Sequence, residues 1–141
     1  MSMSNVEIVR DVLHRQYNER DITAVDYIAE NHIDHNPTPG QEPGREGVRK
    51  LIAGVIDRPE LKCEIHECFG SGDLVATRYT VTATHDGEFF GVPAAGKTTS
   101  TRIIGIDRLE NGEIVESWGE YNPLEMMQQL GVLPEDFGPQ H

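Results

Sequence analysis

An Asn-Gly pair at 111–112 separates two long runs, Thr98 to Leu109 and Glu113 to Tyr121, whose Thr, Ile, Val and Tyr content favours strands. Asn-Gly supplies positive φ at both central positions of a tight turn whose twist suits paired strands. The two runs are therefore expected to fold back as a hairpin. The second run ends in Asn122-Pro123-Leu124-Glu125. Asn caps a helix, Pro fits the first helical position, and Glu three residues after the cap completes a capping-box-like start. Leu124, Met127 and Leu130 give that helix an apolar face, and Gly131 is placed to end it.

Upstream, the order is helices first and strands later. Ser4 and Glu7 form a capping pattern, and Val6, Val9, Val12, Leu13 and Tyr17 repeat at helical spacing. Asp21 is placed to cap a shorter helix carrying Ile22, Val25 and Ile28. Residues 31–44, rich in His, Pro and Gly, read as a loop with one short extended piece at Ile33 to Asn36. Val48, Leu51, Ile52, Val55 and Ile56 mark a third helix. Beyond Leu61 the period changes to two. Gly70-Ser71-Gly72-Asp73 turns the chain, and Leu74 to His85 returns as a long strand. Helices segregated from consecutive antiparallel strands indicate an α+β fold. Four long strands would curve into a cone, with the N-terminal helices on its concave face and a cavity between.

Composition narrows the partners. At 141 residues the chain is expected to form one domain, with a core over 5–134 and a mobile tail at 135–141. Its 24 acidic and 12 basic residues give a formal net charge of −12, without a Lys/Arg cluster. That excludes phosphate-backbone binding and anionic membrane surfaces as expected roles. No apolar stretch approaches the ~20 residues of a spanning helix. Met1-Ser2-Met3-Ser4 lacks the parts of a secretory signal, and two cysteines make no disulfide framework, so a reducing cytoplasm is expected.

Several segments together resemble the SnoaL-like polyketide cyclase family, within the nuclear-transport-factor-2-like superfamily. They are His32-Ile33-Asp34-His35-Asn36-Pro37, Gly44 to Lys50, Gly87 to Lys97, Gly105-Ile106-Asp107-Arg108, Gly112 to Trp118 and Gln129-Leu130-Gly131. The resemblance implies a cone-shaped α+β barrel, a homodimer formed through the outer sheet face, and a hydrophobic small-molecule ligand. It also implies cofactor-independent, metal-free chemistry: aldol-type ring closure or isomerisation by general acid/base catalysis. Such chemistry needs a base beside a carbon next to a carbonyl, donors for the enolate, and walls that hold the chain folded.

Strict alternation places Ile114, Glu116, Trp118, Glu120 and Asn122 on one side of the last strand, and Val115, Ser117, Gly119 and Tyr121 on the other. The resemblance implies that the Trp side faces the cavity, with an acidic group near its end. Asn122 stands where many relatives carry Asp. Glu120 is then the nearest carboxylate and the first choice for acid/base, with Asn122 a helix cap or ligand contact. Asp107 reads either as a cavity carboxylate or as the partner of a surface Arg such as Arg102 or Arg78. His85 and His35 are the imidazole candidates, His35 being preferred over His32. Tyr17, Asn36, Tyr79, Phe89, Phe90 and Trp118 complete the expected ligand wall. Cys63, His66 and Cys68 do not read as a zinc site, because strict alternation points residue 63 away from 66 and 68. Two classes of function follow: a cofactor-independent enzyme, or a non-catalytic small-molecule binder for which neutral polar groups suffice.

Overall fold

The computed structural model describes residues 3–134 and Asp136, except for Phe90 and the side chains of Phe89 and Val92. The expected mobile tail, 135–141, thus lies outside the described residues apart from Asp136. Helix α1 (Asn5–Tyr17) leads into a 3₁₀ helix (Ile22–Tyr27), strand β1 (Ile28–Asp34) and helix α2 (Gly44–Val55). Strands β2 (Lys62–Ser71) and β3 (Leu74–Thr84), a small pair β4 (Glu88–Phe89) and β5 (Val92–Pro93), and strands β6 (Thr98–Glu110) and β7 (Glu113–Tyr121) follow. Helix α3 (Pro123–Gln129) comes last. The large sheet has the order β1-β7-β6-β3-β2 and is curved, with α1 and α2 packed on its inner face.

Local signals produce these elements. Ser4 accepts the Glu7 amide at 3.2 Å, which starts α1. Asn111 and Gly112 have φ of 51° and 80°, the pair that a two-residue hairpin turn requires, and Glu110 faces Glu113 across it. Asn122 Oδ1 accepts the Glu125 amide at 3.1 Å, and Pro123 opens α3. Ile8, Val9 and Val12 of α1 meet Val25, Ile28, Ile52, Val75, Leu109 and Ile114 in the core. Each such side chain contributes about 1.5–3 kcal/mol by leaving water.

Three expectations are corrected. The sheet has a fifth strand: Ile28–Asp34 pairs parallel to β7, where only a short extended piece at 33–36 was expected. A parallel neighbour has no tight turn to announce it, and the polar side chains of Glu30, Asn31, His32 and Asp34 hide the strand period. Ile28 belongs to β1 rather than to the shorter helix that Asp21 caps, which ends at Tyr27 and is 3₁₀. The β-branched Ile22, Thr23 and Val25 of that helix lower α propensity.

The third correction concerns alternation, and two bulges cause it. Register in β2 shifts between Ile65 and Glu67, so Cys63, Ile65 and Cys68 lie on one face while His66 reaches Thr80 on the other. In β7, Ile114 faces Leu109 and Glu116 faces Arg108, leaving Val115 as the extra residue. Beyond it the parity inverts. Ser117, Gly119 and Tyr121 turn inward, whereas Glu116, Trp118 and Glu120 share the outer face with the exposed Ile104 and Ile106.

Candidate functional site

Between the inner face of the sheet and helices α1 and α2 lies a pocket of about 620 Å³. Its floor is set by register. Val75, Asp107 and Ser117 form one cross-strand row over β3, β6 and β7; Thr77, Gly105 and Gly119 form the next; Tyr79, Ile103 and Tyr121 form a third. Gly105 and Gly119 face each other, and a Cβ built on Gly119 would meet nothing within 4 Å. The two glycines leave the middle of the floor open.

Asp107 sits at one end of this floor. Ser117 Oγ donates to its Oδ1 at 2.5 Å, and His32 Nε2 lies 2.9 Å from the same Oγ. The hydroxyl has one proton, and with an ionised Asp107 that proton goes to the carboxylate. His32 must then donate through Nε2, which leaves Nδ1 as the acceptor; that atom is buried with no partner. Burial lowers the His32 pKa and keeps the ring neutral. Desolvation pushes Asp107 up to about 6; the Ser117 hydrogen bond opposes this, and the negative charge of Asp34 adds to it. Asp34 lines the pocket too, held by the Asn36 amide at 2.9 Å and by Gln41 Nε2 at 3.0 Å.

Two phenols face the same space. Burial raises Tyr17 to about 12 and Tyr79 well above the ordinary tyrosine range, so both remain neutral donors at pH 7. Neither hydroxyl has a hydrogen-bond partner among the described residues of the pocket wall. At the far end, Arg58 Nη1 donates to His85 Nδ1 at 2.9 Å. A guanidinium only donates, so neutral His85 carries its proton on Nε2 and gives it to Thr99 Oγ1 at 3.0 Å. Desolvation, then the Arg58 charge, lowers the His85 pKa. Among the described residues, no group of three or more His, Cys, Asp or Glu side chains is arranged to hold a metal ion.

The structure therefore divides the expected site. Asp107, His85, Tyr17, Tyr79 and Asn36 line the pocket together. Glu120 does not: it is exposed on the outer face, where Asn36 Nδ2 reaches it at 3.2 Å. His35 also lies outward, 2.8 Å from Glu116 and stacked on Trp118 at 4.6 Å between ring centres. Trp118 borders the pocket at the β1–β7 seam, but its ring lies against His35 and under the Arg108 guanidinium. Asn122 is occupied with capping α3. Phe90 and the Phe89 side chain lie outside the described residues. The alternation of β1 places His32 and Asp34 inward and His35 outward, reversing the preference between the two histidines. Ser117, His32, Asp34 and Arg58 are the pocket groups that sequence reasoning did not choose. The signal for Ser117 was the bulge, which the sequence does not display.

The profile of the SnoaL-like polyketide cyclases matches residues 7–130, nearly the whole chain. The chain belongs to that family. Among solved structures, TsrD from Streptomyces laurentii is similar at 27% identity and a TM-score of 0.80, covering 94% of this chain and 99% of its own. IdmH from Streptomyces antibioticus, a candidate polyketide cyclase, shares 26% identity, with 92% and 100% covered and a TM-score of 0.74. AclR from Streptomyces galilaeus, a candidate hydroxylase, shares 26% identity, with 93% and 87% covered and a TM-score of 0.76. No curated protein sequence matches significantly. This SnoaL-like chain thus has the nuclear-transport-factor-2-like fold of its neighbours, a fold that does not by itself decide the reaction.

Proposed function

We propose that this SnoaL-like protein is a cofactor-independent enzyme that uses Asp107 as general base on a carbon next to a carbonyl of a hydrophobic small molecule, closing a ring by intramolecular aldol addition or moving a double bond. The observation that carries this reading is a desolvated carboxylate with a pKa of about 6 in a pocket that also holds neutral phenols. At pH 7 such a group is roughly nine-tenths ionised, yet is a far stronger base than a solvated aspartate.

The steps follow from these groups. Asp107 takes the proton; the C–H pair becomes an enolate, whose oxygen accepts a hydrogen bond from the neutral Tyr79 phenol. Ser117 and His32 hold the carboxylate in place and do not touch substrate. The enolate carbon attacks a second carbonyl of the same molecule, forming the C–C bond. The resulting alkoxide takes back the proton from Asp107, so the product of the addition is an isomer of the substrate. Apolar wall from α1 and α2, including Val12, Leu13, Val48 and Ile52, keeps the chain folded against the sheet.

The assay is deuterium uptake in D₂O at the activated carbon of an aromatic β-keto ester, followed by mass spectrometry. Catalysed uptake above the buffer rate supports the reading, and none would leave a binding protein of the same fold. Glu120 offers a contrast on the outer face. Glu120→Gln is expected to keep the uptake rate within about two-fold, because the carboxylate lies outside the pocket. A loss of 100-fold or more in that variant would return the base to position 120.

A further inference from the structure

The Arg58 end of the pocket is chemically unlike the rest. Twelve Lys and Arg residues serve a chain of net charge −12, and they are spent largely on carboxylates and carbonyls. Lys50, the other cation lining the pocket, is bound to Glu42 at 2.7 Å. Arg58 differs. Its backbone amide is tied to Val55 O at the end of α2, and its Nη1 is tied to His85. Its Nε is buried without a partner, and among the described residues it forms no ion pair with a carboxylate. A buried N–H left unmet is costly, and a guanidinium edge is shaped for two carboxylate oxygens.

Resting on the proposed reaction, we infer that the substrate is an elongated apolar oxo acid whose carboxylate docks on Arg58, beside His85 and Thr99, while its reactive carbon lies near Asp107. Charge sets the direction. Asp34 and Asp107 share the opposite end and repel an anion there; Glu88 also lines the pocket and Asp86 acts on His85, and against them Arg58 is, among the described residues, the lining cation not already bound to a carboxylate. Distance sets the shape: Thr99 and Asp107 are eight residues apart on β6, about 26 Å of extended strand before curvature shortens it. His85 acts as a positioning residue, because its acceptor nitrogen fixes the Arg58 fork.

A matched pair of rigid probes tests this, anthraquinone-2-carboxylate and anthraquinone-2-carboxamide, titrated by calorimetry at neutral pH against the wild-type chain, Arg58→Gln and Arg58→Lys. The carboxylate is expected to bind about ten-fold or more tightly than the amide. Arg58→Gln is expected to abolish that ratio while changing amide affinity less than about two-fold, and Arg58→Lys to restore part of it. Equal affinity of the two probes for the wild-type chain overturns the inference, as does an equal loss of both in Arg58→Gln. Should the variants fail to fold, the wild-type ratio decides alone. Deuterium uptake separates this result from the proposed reaction: acid preference can fail while Asp107→Asn still stops uptake, and the reverse outcome removes only the catalytic reading.

Discussion

Asp107→Asn is expected to lower catalysed deuterium uptake by about a thousand-fold, within the range for removal of a general base, and at the same time to stabilise the fold at neutral pH. The two effects share one cause. Asp107 is held at about 6 in the folded chain against an ordinary value of 3.8. A carboxyl raised on folding favours the native state when protonated; that contribution is complete below about pH 4 and is lost as pH rises through 6. At pH 7 the ionised side chain therefore costs stability. The shift corresponds to at most about 3 kcal/mol, and relaxation of solvent around the pocket reduces it. Asparagine keeps an oxygen for the Ser117 hydroxyl and carries no charge to desolvate. Denaturant titrations across pH 4 to 8 should show the variant gaining on the wild type by about 2 kcal/mol as pH passes 6, and matching it near pH 4. A variant less stable than the wild type at pH 7 would mean that the carboxylate is well solvated or well paired. A variant with undiminished uptake would remove it from the chemistry.

The second large effect tests the pocket itself. Gly119 faces inward opposite Gly105, and a side chain there meets no atom at its first carbon. Gly119→Leu should fold, since a glycine inside a strand is a weak point that a larger residue relieves by about 0.5–1 kcal/mol. Its isobutyl group would occupy the space between Asp107 and Tyr79. Binding of the anthraquinone probes is expected to weaken by about 30-fold or more, roughly the 2 kcal/mol that overfilling a packed site costs. Melting at or above the wild-type temperature together with lost binding identifies the floor of the pocket as the ligand site. Unchanged binding would place the ligand elsewhere.

The fold was legible wherever local chemistry decides it. Asn111-Gly112, the Asn122-Pro123 start of α3 and the Ser4 cap all act over four residues or fewer, and each appears where the sequence reading puts it. The site was less legible for a single physical reason. Side-chain direction along a strand has a period of two, so one inserted residue reverses every assignment beyond it. Val115 is such a residue. It carries Trp118 and Glu120 to the outer face and brings Ser117 onto Asp107, and nothing in Ile114-Val115-Glu116 announces it. β1 hid for a different reason. Its partner β7 lies more than eighty residues away, and a parallel pairing leaves no turn signature between them. Once both are placed, His32 joins Ser117 and Asp107 in one hydrogen-bonded line. Arg102 and Arg78, the surface partners that the sequence offers Asp107, pair instead on the outer face, with Glu125 and Glu67.

Whether the side chain of Asp107 is a desolvated base can be read without any substrate. Carbon-13 NMR of the chain labelled at aspartate, with Asp107→Asn used to assign the carboxyl signal, gives its titration directly. A midpoint at about 6 is the expected result. A midpoint at or below the ordinary 3.8 would contradict the account, because a carboxyl that ionises as easily as in water is not shielded in the way the proposed chemistry requires.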